Sequence, residues 1–235
     1  LTVENQVALA DGFRWDDCDA YLFDIDGTLV HAHGGVHGES FSASVEAVMG
    51  HPLAMEGVAV HGSTDTGILR DAFRHAAISD EVWQPRLEEI LQAMRERVHA
   101  RRALMSVTVM PGVQSMLAYL KGRGKLLGLA TGNLEQIGWL KIEMAGLRDW
   151  FTFGGFSDRH AVRSDMIAHA VLASGLPSGA TICVVGDTPL DISAAKANGL
   201  PTIAVATGVY GYAELLQHQP EVCTTTLEAL LAFRS

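Results

Sequence analysis

Four short apolar runs punctuate the chain: Ala20 to Ile25, Lys125 to Ala130, Thr181 to Val185 and Pro201 to Ala206. Runs of this length without polar alternation predict strands buried on both faces of a parallel sheet. Between them the apolar spacing changes to three and four residues. Leu134, Ile137, Lys141 and Met144 predict a helix that Gly146 stops. Met166, Ile167, Ala170 and Val171 predict a second, ending near Gly175 and Pro177, and Ile192 to Asn198 a third, closed by Gly199 and Pro201. Strand alternating with helix is the pattern of an α/β domain with a Rossmann-like parallel sheet.

One interval breaks the rhythm. A strand–helix–strand unit takes about 30 residues, yet the first and second runs lie about a hundred residues apart. Inside the gap, Leu87, Ile90, Leu91, Met94 and Val98 form one helical stripe, and Ile68, Leu69, Ala72 and Phe73 another. Gly34-Gly35 and Met110-Pro111-Gly112 suit turning connections on either side. The pattern predicts a helical second domain over residues 32–103, inserted into a core formed by 1–31 and 104–235.

Composition narrows the function classes. The 235 residues are 48% hydrophobic and 19% charged, with a formal net charge of -10. That acidic balance disfavours nucleic acid and anionic membrane as partners, since both are held through basic patches. No apolar run approaches the roughly 18 residues of a membrane span. The segment Leu1 to Phe13 carries Glu4 and Asp11 and no basic cluster, so no signal peptide is expected there. Three cysteines, Cys18, Cys183 and Cys223, form no CxxC pair. They are expected as reduced, buried thiols of a cytoplasmic protein.

Polar clusters follow three of the four runs: Asp24-Ile25-Asp26-Gly27-Thr28, Thr131-Gly132-Asn133 and Gly186-Asp187-Thr188-Pro189-Leu190-Asp191. In open parallel sheets, ligands bind beyond the carboxyl ends of the strands, so all three are expected on one rim. Asp24 and Asp26 share a side if the strand persists through them. Aspartate is a poor strand former, and two at a strand end, matched by Asp187 and Asp191 at another, need a cation between them. Oxygen-only ligation with open positions suits Mg²⁺. The hydroxyl of Thr131, the amide of Asn133 and backbone N–H groups around Gly132 can hold a phosphate. Helix capping by Asn133 is the plainer alternative.

With these clusters in this order, the chain resembles the haloacid dehalogenase-like hydrolases, in their phosphoglycolate phosphatase-like branch. The resemblance implies an α/β core with an inserted helical cap. It implies Asp24 as nucleophile and Asp26 as general acid and base, with the Asp26 backbone carbonyl on the metal. It further implies Thr131 at the transferring phosphate, Asp187 completing a Mg²⁺ site, and Asp191 as ligand or support. The family places a lysine ahead of the helix before the last acidic motif, whereas Phe156 to Asp165 holds none here. Arg163 is the expected substitute and Arg159 its competitor; an arginine grips phosphate in a bidentate way. His31, His33 and His37 fall at the hinge, where contact with substrate rather than metal is expected. Lys141 is expected to be solvated or salt-bridged, and Thr64 and Asp65 to cap a helix or, as the alternative, to form a substrate loop of the cap.

The implied activity is Mg²⁺-dependent hydrolysis of a small phosphorylated metabolite, phosphoglycolate-like or a sugar phosphate, through an aspartyl phosphate. A sugar-phosphate mutase of the β-phosphoglucomutase type would share every core residue, and a catalytically silent binding module would share the fold. The stretch 32–103 contains no lysine, so Schiff-base cleavage of a carbon–phosphorus bond is not expected. The arginines of the insert are expected to reach an anionic or hydroxylated substrate tail.

Overall fold

The computed structural model describes residues 5–233; residues 1–4 and 234–235, with the parts of the expected core boundaries and N-terminal segment that fall on them, lie outside the described residues. In chain order the elements are β1 (Val7–Leu9), β2 (Ala20–Phe23), β3 (Val30–His33), α1 (Val36–Met49), α2 (Asp65–His75), α3 (Asp80–Trp83), α4 (Leu87–Ala100), β4 (Ser106–Val109), α5 (Val113–Gly122) and β5 (Leu126–Ala130). There follow α6 (Glu135–Met144), β6 (Gly154–Gly155), α7 (Arg163–Ala173), β7 (Ile182–Gly186), α8 (Pro189–Ala197), β8 (Thr202–Val205), α9 (Tyr212–Gln217), β9 (Val222–Thr224) and α10 (Leu227–Ala232).

A seven-stranded sheet runs in the order β1-β9-β8-β7-β2-β5-β6. Every pairing is parallel except β1 on β9. β2 lies between β5 and β7, with Phe23 level with Leu129 on one side and Val185 on the other. All residues of β2, β7 and β8 are buried, as strands covered by helices on both faces must be. One apolar cluster, including Tyr21, Phe23, Leu129 and Val185, fills one face; Leu22, Ala130, Val184 and Ile167 pack on the other. The acidic cluster Asp24 to Asp26 therefore leaves the middle of the sheet, beside the exits of β5 and β7.

The first strand is shorter than its apolar run. β2 ends at Phe23, and the N–H groups of Leu29 and Val30 both bond to the Ile25 carbonyl. Gly27, at φ 87°, makes that turn, in a region open to glycine. Asp24 and Asp26 thus leave the strand alternation and acquire different partners.

Between β3 and β4 lie the helices α1 to α4, which share a second apolar cluster including Phe41, Leu69, Phe73, Ile90, Leu91 and Met94. Leu134 and Ile137 of α6 enter the same cluster, so the insertion is seated on the core helix that follows β5. Both stripes read from the insert, on α2 and α4, are buried as expected. Two elements were not anticipated. Helix α1 packs against α4, but its buried face includes Ser40 and Ser44 beside Val36, Phe41 and Val45, which breaks the apolar stripe. The β3–β4 ribbon pairs Val30 with Val109 through His33 with Ser106, and so spans the sequence-based borders near residues 32 and 103.

Candidate active site

Asp24 is buried at the end of β2, where its N–H bonds to the Val185 carbonyl. Its Oδ1 lies 3.0 Å from Arg163 Nη2. The guanidinium is buried at the start of α7 and grips Asp191 Oδ1 through Nε at 3.0 Å and Nη2 at 2.5 Å. Its Nη1 donates to the Gly62 carbonyl at 2.8 Å. The other oxygen of Asp191 accepts from the backbone and hydroxyl of Thr188, at 3.0 and 2.7 Å, in a capping box that starts α8. Asp187 completes the group, with Oδ1 accepting from Thr28 Oγ1 at 3.0 Å. Arg159, the alternative cation, is exposed.

Asp26 turns the other way. Its Oδ2 accepts from Lys141 Nζ at 2.6 Å and from Asn133 Nδ2 at 2.8 Å. Lys141 also donates to Asn133 Oδ1 at 2.7 Å, and its nitrogen lies 3.2 Å from His37 Nδ1. An ammonium can only donate, so Nδ1 accepts and Nε2 carries the hydrogen toward Asp65 Oδ2, 3.0 Å away. Asp65 Oδ2 also accepts the Leu134 N–H at 2.8 Å, and the Asp65 N–H bonds to the Gly132 carbonyl at 2.7 Å. Thr64 caps α2 as expected, by accepting from Gly67 N. Lys141 is therefore not solvated: it is 2% exposed and salt-bridged, whereas the Asp26 side chain is 42% exposed. Of the two states expected for Lys141, the salt bridge is the one formed, and a lysine within the apolar spacing of α6 is the sequence signal of its burial.

The two aspartates, two residues apart, are driven in opposite directions. Burial, then repulsion from Asp191 and Asp26, against the opposing pull of Arg163, raises the Asp24 pKa to about 7. Burial, then repulsion from Asp24 and Asp191, raises that of Asp187 to about 8. At Asp26 the surroundings also penalise the charge, but Lys141 and then Asn133 outweigh them and hold the carboxyl below its ordinary value. Burial opposes the Arg163 charge, yet Asp191 and Asp24 leave its pKa above the usual arginine value.

Oxygens of Asp24, Asp187 and Asp191 lie within 4.8 Å of one another, a buried group that can hold a metal ion. The packing around it fits that use. A Cβ on Gly27 or Gly208 would collide with the Asp187 carboxylate, and one on Gly186 with Asp191. Asp191 is already engaged through both oxygens, which leaves Asp24 and Asp187 as the freer donors. The Asp26 carboxylate is outside the trio.

A cavity of about 430 Å³ opens over these groups. Asp24, Asp26, Asp187, Thr131, Gly132, Asn133, Lys141 and Arg163 all line it, so the three clusters after the strands meet at one rim. Thr131 Oγ1 accepts from Asn133 Nδ2 at 2.7 Å, so the Asn133 amide is turned toward Thr131 and Asp26. His31, His33 and His37 also line the cavity. No arginine of the insert does; Arg70, Arg74, Arg86, Arg95 and Arg101 pair with carboxylates instead. The structure does not bring the insert's arginines to the cavity where a substrate tail was expected to meet them.

A sequence model of the haloacid dehalogenase-like hydrolase family matches residues 18–199, which includes all three clusters. The chain belongs to this family. Among curated relatives of this hydrolase, a "Probable phosphatase IndB" of Dickeya dadantii is 28% identical over 222 residues, covering 89% of this chain and 90% of that one. A "Phosphoglycolate phosphatase" of Chromobacterium violaceum is 29% identical over 202 residues, covering 83% and 86%. Among solved structures, CbbY of Rhodobacter sphaeroides in complex with phosphate superposes with a TM-score of 0.62 at 22% identity, over 83% of this chain and 88% of that one. That likeness concerns the fold.

Proposed function

We propose that this hydrolase is a Mg²⁺-dependent phosphatase that cleaves a small phosphate monoester through an aspartyl phosphate on Asp24. The observation that carries the reading is the opposite treatment of two neighbouring carboxylates, Asp24 buried against Arg163 and Asp187, and Asp26 held by Lys141 at the cavity wall. Without metal the proton affinities run against the roles of nucleophile and acid–base, Asp24 raised to about 7 and Asp26 held low; a cation beside Asp24 would favour its ionised form, and the phosphate dianion beside Asp26 its protonated form. The names of the relatives support the same reaction class.

Asp24, Asp187 and the Asp26 carbonyl are the groups that would hold Mg²⁺, with Asp191 behind them fixing Arg163. Bound there, the cation supplies positive charge that lets carboxylates and phosphate share one small space. Asp24 attacks phosphorus and the ester P–O bond breaks. Asp26, taking up a proton from solvent as substrate binds, delivers it to the departing alkoxide. The incoming phosphate dianion opposes the hold of Lys141 and raises the proton affinity of Asp26 for that step. Asp26 then takes a proton from water, which attacks the phosphoenzyme and frees phosphate and Asp24. Thr131, Gly132, Asn133 and Arg163 are the proposed phosphate contacts, acting by fixed dipoles and charge. The insertion over about 32–103 is proposed as a cap that excludes water and selects the leaving group. A reducing cytoplasmic location suits the three free buried thiols.

Phosphate release from an ester, with Mg²⁺ and with excess chelator, tests the reading. Asp24→Asn should abolish release while leaving the fold intact, because an amide cannot form the aspartyl phosphate. Comparable hydrolysis by Asp24→Asn removes the proposed nucleophile. Isomerisation of a sugar phosphate without net release would identify a mutase instead, and ligand binding without either a silent module.

A further inference from the structure

We infer that the substrate carries a single anionic group, the scissile phosphate, on an uncharged and largely apolar tail. This deepens the phosphatase reading and rests on it. Four aspartates line the cavity, Asp24, Asp26, Asp65 and Asp187, against two permanent cations, Lys141 and Arg163. Both cations are already committed. Lys141 faces Asp26, Asn133 and His37, and Arg163 faces Asp24, Asp191 and the Gly62 carbonyl. Counting Asp191, which pairs with Arg163 behind the wall, five carboxylates stand against two permanent cations, a formal excess of three negative charges, of which one divalent cation offsets two. A dianionic phosphate makes that balance more negative still, and a second carboxylate or phosphate on the substrate meets no unpaired permanent cation among the described residues lining the cavity.

On the insertion's side of the wall apolar side chains stand beside the polar His37, His61, Ser63 and Asp65. Val36, Phe41, Val60, Ile68 and Met105 line it, all on the insertion or its return. Phe41, Ile68 and Met105 are buried side chains of the insert's own apolar cluster. Burying hydroxyls or a carboxylate against such groups without partners is costly, whereas an apolar tail gains by leaving water. The histidines at the hinge, His31 and His33, stack edge-on at 4.4 Å between ring centroids and add a flat, polar-edged wall. A carboxylate-bearing ester such as phosphoglycolate is therefore the poorer fit, and a benzyl or other aryl-alkyl phosphate the better one.

The experiment compares benzyl phosphate, 2-phosphoglycolate and glycerol 3-phosphate on the wild-type protein with Mg²⁺; all three release an alkoxide. In parallel, calorimetry measures binding of 2-phenylethylphosphonate and 3-phosphonopropionate, which keep the two tails but cannot be hydrolysed. The expected result is at least about tenfold higher kcat/KM for benzyl phosphate than for 2-phosphoglycolate, with the same order in phosphonate affinity. Equal or better use of 2-phosphoglycolate overturns the charge argument, and preference for glycerol 3-phosphate overturns the apolar one. If no ester turns over but 2-phenylethylphosphonate still binds more tightly, the phosphatase reading falls and the cavity assignment stands. Tighter binding of 3-phosphonopropionate sinks the cavity assignment whatever the turnover.

Discussion

Replacing Arg163 by methionine removes the one cation shared by Asp24 and Asp191, leaves the Gly62 carbonyl without its donor, and keeps most of the side-chain volume. All three ionised groups are buried, so solvent cannot take over the lost pairing. Breaking a buried pair from one side costs about 3–5 kcal/mol, which in a chain of this size lowers the melting temperature by about 10 °C. The loss has a pH signature. The Asp24 pKa is raised to about 7 in the folded protein, above its ordinary value, so folding takes up protons and metal-free stability declines as pH rises toward 7. Without Arg163 that pKa rises further, and the variant keeps declining above pH 8, where the wild type, with Asp24 at about 7 and Asp187 at about 8, has levelled off. The gap therefore widens by up to about 1.4 kcal/mol per pH unit above 7 and shrinks at pH 5.5, where Asp24 is protonated in both proteins. Thermal melts in chelator at pH 5.5, 7 and 9 measure it. A penalty below about 1 kcal/mol, or one equal at pH 5.5 and 9, would refute the view that Arg163 neutralises a buried carboxylate pair.

Three further outcomes follow from the same geometry. Because Asp24 and Asp187 have raised pKa values of about 7 and about 8 without metal, Mg²⁺ must displace protons; its affinity should tighten by about tenfold per pH unit per proton released below pH 7, and calorimetry in two buffers should detect that release, while a pH-independent affinity contradicts the site. Gly208→Ala places a methyl on the Asp187 carboxylate, whereas a Cβ at Gly211 meets nothing within 4 Å; Gly208→Ala should lose Mg²⁺ affinity and turnover and Gly211→Ala should retain both, and equal behaviour of the two contradicts the crowding. Lys141→Met removes what holds the Asp26 carboxyl low, so the acid limb of the pH–rate profile should move to higher pH, with a rate loss below the roughly 10²–10⁴-fold of losing an acid–base group outright; an unmoved limb shows that Lys141 serves packing alone.

Much of this site could be read from the chain because parallel strands announce themselves as apolar runs, and polar residues at their ends can only gather on one rim. Thr131 follows its run directly, Asp187 comes one residue after its run and Asp24 stands at the end of the first, and all line the same cavity. Arg163 needed a further step, since only the missing lysine of the family pattern pointed to it. Elements whose patterns are diluted by polar residues were lost. Helix α1 buries Ser40 and Ser44 among its apolar contacts and starts at Gly35, and its structure depends on α4 lying across it. The β3–β4 ribbon alternates His31 and His33 with Ala32, and Ser106 and Thr108 with Val107 and Val109; it is fixed by pairing across more than seventy residues, which no local window contains.

The partners of Lys141 were illegible for a different reason. On α6 it continues a spacing set by Leu134 and Ile137, and a long amphipathic side chain at such a position ordinarily carries its charge out to water. Here the charge stays inside because three elements distant in sequence supply its partners: Asp26 after β2, Asn133 after β5, and His37 on α1. Two of those belong to the core and the third to the insertion, which Asp65 ties back to Leu134 and Gly132. The position of α1 and α2 and the ionisation of Asp26 are thus parts of one hydrogen-bonded chain. A displacement of the insertion that breaks the His37 contact also loosens the group that keeps Asp26 charged. Asp24, two residues away, takes its partners, Arg163, Asp187 and Asp191, from α7, α8 and the loop after β7, and Arg163 in turn donates to the Gly62 carbonyl of the insertion. Motion of the insertion would therefore reach Asp26 through His37 and Lys141, and Asp24 only through the Gly62–Arg163 contact, a difference that follows from where two turns send two identical side chains.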